Sequence, residues 1–275
     1  MNIGILGLGL IGGSLGYDLV NRNHYVWGTS RNPDTCRQAV DRGAACVAHP
    51  DWQAIPGSDR ADVVVLCGPI ATILPTLQAI APCLSPDTVV TDVASVKSCL
   101  CQEAAALHPR FVGGHPMAGG SGQGLAAAVP DLFRDRPWVL TPLPSADRAA
   151  VTLLQTLWES LGAKVWELAP AAHDRAVARI SHGPVFVSAS ALVPPHGHET
   201  QLASSGFFDT TRIGGGNPQL GRLMAQYNRE AVLVTLQENA ARLAWAIAAI
   251  EQERWDDLEA WLQEAARLRQ TYFPT

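Results

Sequence analysis

Short apolar runs alternate with amphipathic stretches through the first 168 residues of the chain. Strands are predicted at NIGILGL, HYVWGTS, DVVVLCGP, TVVTDV and RFVGG. Helices are predicted between them, through Leu19, near Thr35 to Arg42, from about Ala71, and from Val96 to Leu107. This alternation is typical of an α/β fold with a mainly parallel sheet covered by helices on both faces. WVLTP and AKVWEL, with a helix between them, are predicted to extend or close the sheet near its edge.

The pattern changes after Leu168, where the strand signals stop and helical spacing takes over. Apolar residues recur at this spacing at Leu220, Leu223, Met224, Tyr227, Ala231 and Val234, and at Leu258, Trp261, Leu262, Ala265 and Leu268. We predict one extended helix from Pro218 to about Glu253, too long for the interior of a small monomeric domain. The economical interpretation is an all-α domain, residues 170–275, that buries this helix against a second copy of the chain. Residues 1–169 form the other domain.

The composition is that of a globular protein with no polyanionic partner. The chain has 275 residues, 47% of them hydrophobic and 16% charged, and a formal net charge of -5. This charge gives no footprint for nucleic acid or an anionic membrane. The start MNIGILGLGL has no basic lead-in and suits a buried strand better than a signal peptide. The stretch GPVFVSASALVPP is too short to span a bilayer. We therefore expect a cytoplasmic protein.

Cysteine and histidine spacing gives no sign of a metal site. None of the six cysteines forms a Cys-x-x-Cys pair, and several lie in apolar surroundings. They are interpreted as small buried hydrophobic residues in a reducing compartment rather than as metal or redox groups. His196-Gly-His198 has no carboxylate or cysteine at ligand spacing and is predicted to form a polar loop. We expect no metal.

A GxGxxG motif, Gly7-Leu8-Gly9-Leu10-Ile11-Gly12, follows the first strand and opens a helix. Such a motif alone is weak, but a second strand within about thirty residues makes it a dinucleotide-binding signature. Gly7 permits the tight turn, Gly9 lets the backbone approach the pyrophosphate, and Gly12 lets helix and sheet pack closely. Amide groups at the helix start, including those of Leu10 and Ile11, would face the phosphates. The alternative is a purely structural glycine turn.

The end of the second strand bears on the choice of cofactor. Thr29, Ser30 and Arg31 stand where an NAD-binding chain usually has a carboxylate, and the first carboxylate is Asp34. A guanidinium and two hydroxyls suit a 2′-phosphate. The sequence therefore predicts NADP, with a merely solvated Arg31 as the alternative.

Polar and glycine-rich stretches follow the later strands, where an open α/β sheet binds its ligand. Cys67 and Pro69, with Asp92, are assigned to the cofactor site, and Ser95 and His115 to the nicotinamide half of the crevice. His115 lies between a glycine pair and a proline, which favours a catalytic histidine over a structural one.

Five segments follow one another along the chain: GLGLIGGSL, TDVASVK, GGHPMAG, HDRAVARISHGPV and SSGFFDTTRIGGGNPQLG. Together they resemble the prephenate and arogenate dehydrogenase family, with a particular likeness to cyanobacterial and plant-type arogenate dehydrogenases. The resemblance implies a Rossmann-type N-terminal domain and a helical C-terminal dimerisation domain, as in 6-phosphogluconate-dehydrogenase-like folds. It also implies a homodimer.

The implied reaction is oxidative decarboxylation of arogenate to tyrosine, with hydride transfer to NADP. His115 matches the family's catalytic histidine, and Ser95 would hydrogen-bond His115 or the substrate hydroxyl. A neutral His115 is required, so activity should rise as it deprotonates, with an apparent pKa of roughly 6 to 7.

Further substrate contacts are implied by the same resemblance. Arg212 matches an arginine that pairs with a substrate carboxylate, and Asp209 would orient Arg212 or meet an amine. Gly114 and His182 are assigned to the substrate site. For His182, Asp209 and the pair His173-Asp174, a structural role and support of the site remain alternatives, while Lys97 is either structural or near the cofactor.

Departures from the family pattern favour arogenate over the alternative substrate, prephenate. Val185 stands where prephenate-using relatives often have a second histidine. The absence of this potentially cationic side chain suits a substrate that bears an ammonium group. Gly183 replaces a common leucine and Phe208 a common arginine, and both lie beside site residues.

Two other functions remain as weaker alternatives. A β-hydroxyacid dehydrogenase would use a lysine in the first helix of the second domain, and residues 171–192 contain none. A non-catalytic NADP-binding dimer module is disfavoured by the intact Ser95, His115 and Arg212.

Overall fold

The computed structural model describes residues 1–120 and 122–273 and contains an eight-stranded sheet. The strands are β1 (Asn2–Leu6), β2 (Tyr25–Thr29), β3 (Val47–Ala48), β4 (Val63–Leu66), β5 (Val89–Asp92), β6 (Phe111–Pro116), β7 (Pro137–Thr141) and β8 (Lys164–Glu167). Their order is β3-β2-β1-β4-β5-β6-β7-β8, and every pair is parallel except β6 with β7. The predicted mainly parallel sheet, extended at one edge by the last two strands, is confirmed.

Helices cover both faces of this sheet because its central strands are apolar on both sides. They are α1 (Leu10–Val20), α2 (Pro33–Asp41), α3 (Ile73–Ile80), α4 (Ser98–Leu107) and α5 (Arg148–Ser160). All four residues of β4 are buried, and two separate apolar clusters fill the two faces. The side chain of Asn32 caps α2 and that of Asp147 caps α5, so each helix begins at a residue that satisfies a free backbone N–H.

From β1, the strands β2 and β3 are added on one side of the sheet and β4 to β8 on the other, so the direction of addition reverses between β1 and β4. In doubly wound sheets the ligand crevice opens at this point, beyond the carboxyl ends of the strands. The glycine motif follows β1 and Cys67 follows β4, so the topology brings these two segments together at the crevice.

The remainder of the chain is helical. Its helices are α6 (Pro170–Val177), α7 (Gly183–Ser190), α8 (Glu199–Leu202), α9 (Ser205–Thr211), α10 (Pro218–Tyr227), α11 (Arg229–Glu251) and α12 (Trp255–Tyr272). A π-helical turn, Ala178–His182, joins α6 to α7. The predicted helical second part is confirmed, and His196 and His198 lie in the loop before α8 as predicted. Within the described ranges, no helix combines the length and apolar character needed to cross a bilayer.

The prediction of one helix from Pro218 to about Glu253 is wrong, because the chain breaks at Asn228. The backbone there has φ −123° and ψ 40°, outside the helical region. The Asn228 side chain is buried and donates to the Asp174 carbonyl at 2.8 Å. The apolar pattern continues across the break, so periodicity alone did not reveal it.

Candidate active site

The glycine turn after β1 has the geometry of a phosphate cradle. Gly7 has φ +118°, and a Cβ added there would lie 2.8 Å from the Cys67 carbonyl oxygen. A Cβ on Gly12 would lie 2.0 Å from the Gly7 carbonyl oxygen, so helix α1 could not pack this closely with any other residue. A Cβ on Gly9, by contrast, would meet no atom within 4 Å among the described residues. The N-terminus of α1 therefore faces open space that a dinucleotide's pyrophosphate fits.

The amide groups of Leu10 and Ile11 lie in the first turn of α1, where N–H groups have no partner within the helix. That turn contains no acidic side chain to compete with a phosphate. Both features fit the predicted cofactor role of these two residues, for which a nucleotide-bound structure would be the direct test.

The strand β2 ends on a surface without a free carboxylate. Thr29 and Ser30 are half-buried and Arg31 is exposed, with no ion pair to Arg31 among the described residues. Asp34, the next carboxylate, is paired with Arg37 on the following helix. The surface at the end of β2 thus offers hydroxyls and a guanidinium.

Cys67 and Pro69 form the other wall of the crevice after β4, where the Cys67 carbonyl packs against Gly7. Burial, and to a lesser extent Asp92, raise the pKa of the Cys67 thiol, so it stays neutral. The residue therefore contributes backbone and apolar surface rather than a reactive thiolate.

Asp92 is fully buried and its carboxylate is satisfied by the protein. It accepts from the backbone N–H of Ala94 at 2.9 Å and of Gly114 at 3.1 Å, and it forms an ion pair with the fully buried Lys97. These contacts tie the ends of β5 and β6 together. The predicted cofactor role of Asp92 and substrate role of Gly114 stay predictions, in which Asp92 would act with its carboxylate already bonded within the protein.

His115 lies within strand β6, opposite Val139 of β7, and not after the strand as the sequence suggested. Its ring is 7% exposed, and its Nδ1 lies 2.8 Å from Nε2 of His173. Burial, followed by repulsion from His173, lowers the pKa of His115 well below that of a free imidazole. The expected acid limb at roughly pH 6 to 7 is therefore corrected downward, and His115 is neutral at neutral pH.

His173 is held in turn by Asp174. The Asp174 Oδ1 accepts from His173 Nδ1 at 2.9 Å and from the Lys97 backbone N–H at 2.8 Å, while Oδ2 accepts from the Ser98 N–H at 2.8 Å. Burial opposes ionisation of Asp174, but the hydrogen bonds from His173 and Ser98 outweigh it and hold its pKa below the usual value. The carboxylate thus joins helix α6 to the start of α4, across the two parts of the chain.

Ser95 does not hydrogen-bond His115, which corrects one of the two roles expected of it. Its Oγ is buried without a partner among the described residues, and so is Nε2 of His182. Burial lowers the pKa of His182 to about 4, and its Nδ1 lies 3.2 Å from the Asn228 amide. Because buried polar atoms are rarely left unpaired, these two atoms are candidates for bonds to a bound ligand or water.

Asp209 and Arg212 belong to another segment of the chain, around helix α9. Both are exposed, on α9 and at its end, and α9 is anchored to α7 through the Ser188 hydroxyl, which donates to the Thr210 carbonyl at 2.6 Å. No hydrogen bond or ion pair among the described residues connects Asp209 or Arg212 to His115. The exposed Phe208 shares this helix.

The departure at Gly183 has a packing reason. A Cβ at this position would lie 2.6 Å from the Thr235 side chain and 2.8 Å from the Ala178 carbonyl. Helix α7 therefore approaches α11 too closely for a leucine side chain at this position.

The least expected feature is the buried row His115, His173 and Asp174. The adjacent pair His173-Asp174 was visible in the sequence, just inside a predicted helix, but nothing local connected it to a histidine 58 residues away.

Comparison with known families gives two matches that together span most of the chain. Residues 17–167 match the nucleotide-binding domain of prephenate dehydrogenase. Residues 169–264 match the prephenate dehydrogenase dimerization domain. The chain is 30% identical to a prephenate dehydrogenase of Bacillus subtilis, over 96% of this chain and 74% of the relative.

Two solved structures are similar over nearly their whole length. The Synechocystis arogenate dehydrogenase is 44% identical, with a TM-score of 0.85 over 99% of this chain and 100% of that one. The prephenate dehydrogenase of Aquifex aeolicus, in complex with hydroxyphenyl propionate and NAD+, is 27% identical, with a TM-score of 0.91 over 99% of this chain and 98% of that one.

Proposed function

Because this chain belongs to the prephenate dehydrogenase family, we propose that it catalyses the NADP-dependent oxidative decarboxylation of arogenate to tyrosine. The observation that carries this proposal is the buried His115, hydrogen-bonded to His173 at 2.8 Å and kept neutral by burial, on a strand of the sheet that also holds the glycine turn. It provides a proton acceptor where a bound dinucleotide would place its nicotinamide.

The chemistry requires little more than positioning. NADP, when bound, supplies the acceptor for the hydride that leaves the ring carbinol carbon. His115 accepts a hydrogen bond from the hydroxyl on that carbon and takes its proton as the oxygen becomes a carbonyl. The ring carboxylate leaves as carbon dioxide, and its bonding electrons complete the aromatic ring and turn the carbonyl oxygen into a phenolate. The phenolate then takes the proton back from His115. Ser95 Oγ, which has no partner among the described residues, would hydrogen-bond the same oxygen.

The preference for NADP is proposed from the end of β2. Thr29, Ser30 and Arg31 offer donors to a 2′-phosphate, and the nearest following carboxylate is already paired with Arg37. A carboxylate in this place would repel that phosphate and favour NAD. The similar Aquifex enzyme was solved with NAD+, so the two cofactors need a direct comparison.

The preference for arogenate is proposed from Val185 on α7. An apolar side chain in this place leaves the substrate's ammonium group unopposed, whereas a histidine would favour the keto acid prephenate. The likeness to the Synechocystis arogenate dehydrogenase, at 44% identity, supports this choice. Prephenate is the alternative substrate.

We propose that two copies assemble as a homodimer. Arg212 would hold a substrate carboxylate and Asp209 an amine, and both side chains are exposed within one copy. Helices α11 and α12 also expose large apolar side chains: Leu243, Ile247, Ile250 and Leu262. A homodimer that covers these faces fits the match to a dimerization domain. We place the domain boundary at residues 169 and 170.

Initial rates with each pairing of arogenate or prephenate with NADP or NAD test the proposal. We expect kcat/KM to be highest for arogenate with NADP, and Val185→His to narrow the gap between the two substrates. Prephenate preferred by the unmodified enzyme would refute the arogenate assignment. Absence of reduced nicotinamide in all four pairings would refute the reaction itself.

A further inference from the structure

Three buried groups form a single hydrogen-bonded row that ends at the proposed proton acceptor. His115 Nδ1 lies 2.8 Å from His173 Nε2, and His173 Nδ1 lies 2.9 Å from Asp174 Oδ1. The three residues are 7%, 0% and 4% exposed, so water does not compete for these bonds. Each bond in such a row restricts the proton positions in the next one.

The positions of the protons follow from the carboxylate end. Asp174 is ionised and can only accept, so the proton between it and His173 resides on His173 Nδ1. When His173 carries this single ring proton, its Nε2 has a lone pair and can only accept. The bond to His115 therefore requires a proton on His115 Nδ1, which leaves His115 Nε2 without one.

We propose that His173 and Asp174 are positioning residues that fix His115 as the Nδ1–H tautomer, so that its bare Nε2 faces the substrate hydroxyl. A neutral histidine in water favours the opposite tautomer, with the proton on Nε2. In that tautomer Nε2 could not accept the proton of the substrate hydroxyl. The assignment of the hydroxyl as the group at Nε2 rests on the proposed function. The tautomer itself rests on the geometry alone.

Asp174 is itself prevented from turning. Its Oδ1 accepts from both His173 and the Lys97 N–H, and its Oδ2 accepts from the Ser98 N–H at the start of α4. Two backbone donors thus fix the carboxylate plane. The strongest rival interpretation is that these bonds only hold the two parts of the chain together, in which case the His115 tautomer would not depend on His173.

Nitrogen NMR of the protein with labelled histidine rings distinguishes the two interpretations without any substrate. The signals of His115 are identified by their loss in His115→Asn. We expect one protonated nitrogen and one bare nitrogen, assigned as Nδ1–H and Nε2. In His173→Phe, which has no acceptor, the His115 proton should shift towards Nε2. In His173→Gln, whose Oε1 can accept, the Nδ1–H form should return.

Rates supply the second readout. In His173→Phe, kcat should fall by about 10–100-fold, by analogy with the loss of a hydrogen-bond partner that orients a metal-ligating histidine. The dissociation constant of NADP should stay unchanged. His173→Gln should recover part of the loss. An Nδ1–H tautomer that persists in His173→Phe would overturn the proposal, and so would equal rate losses in the two variants. The NMR experiment contains no substrate, so it tests the tautomer proposal even if arogenate is not the substrate.

Discussion

At the scale of single residues, the end of β2 sets the expected cofactor preference. Replacing Ser30→Asp with Arg31→Ile puts a carboxylate where a 2′-phosphate would lie and removes its cation. A charged phosphate–arginine hydrogen bond contributes about 1.5–3 kcal/mol, so the KM for NADP should rise about ten- to a hundredfold and the relative use of NAD should increase. Steady-state kinetics with both cofactors measure this.

Arg37→Ile is the matched control, because Arg37 is an exposed arginine on the next helix that pairs with Asp34. It should leave the ratio of the two cofactors unchanged. A double variant of Ser30 and Arg31 with the parent's KM for NADP would contradict the assignment.

The second residue-scale prediction concerns His115. Its hydrogen bond to the reacting hydroxyl strengthens only as hydride leaves, so it contributes to the transition state and not to cofactor binding. His115→Asn should therefore lose at least about a hundredfold in kcat while binding NADP as the parent does in a fluorescence titration. Retention of most of the parent's kcat would place the base elsewhere.

The pH profile of the parent should differ from that of an ordinary histidine enzyme. Burial and His173 keep the pKa of His115 well below its usual value, so kcat/KM should stay level through the neutral range. Its acid limb should appear only well below pH ~6.5, the ordinary imidazole value. A limb at the ordinary imidazole pKa would show that another group controls the rate.

At the scale of elements, structure that is set by neighbouring residues could be predicted from the sequence. Contacts between residues far apart in the chain could not. Six consecutive residues define the glycine turn, so its strand, turn and helix could be predicted from spacing alone. The break at Asn228 could not, because no glycine or proline accompanies it and its cause lies in the Asp174 carbonyl, 54 residues earlier. The contact of His115 with His173 depends in the same way on tertiary packing.

That break gives an element-scale prediction. Asn228→Ala removes the donor to the buried Asp174 carbonyl and the amide beside His182. A buried polar group left without its partner costs about 1–3 kcal/mol, so the free energy of unfolding in urea should fall by about that amount. Asn21→Ala, at an exposed helix end, is the control and should change it by less than about 0.5 kcal/mol. Equal effects in the two variants would mean that the break is set by the backbone alone.

At the scale of the whole molecule, buried neutral histidines should make the fold sensitive to mild acid. The pKa of His182 is lowered by burial to about 4, so the unfolded chain binds protons more readily as the pH falls below the usual histidine value. A lowered folded-state pKa means that stability is present at neutral pH and is lost on acidification. Between pH ~7 and ~5, His182 should account for a loss of about 2 kcal/mol.

Urea unfolding of the parent and of His182→Gln at the two pH values measures this contribution. The variant should lose about 2 kcal/mol less than the parent over the interval. Ionisation of Asp174 lies outside this window, because its pKa is below the usual value for an aspartate. Identical pH dependence in the two proteins would contradict the assignment.

The carboxylate of Asp174 contacts both parts of the chain at once, since its oxygens accept from the start of α4 and from His173 on α6. A separation of those two helices would break the bonds to α4 and release the orientation of the His173 ring. His115 can then act as the proton acceptor only while the sheet-containing part and the helical part of the chain are in contact. The same contacts that join the two parts of the chain therefore also hold the proton acceptor in its reactive form.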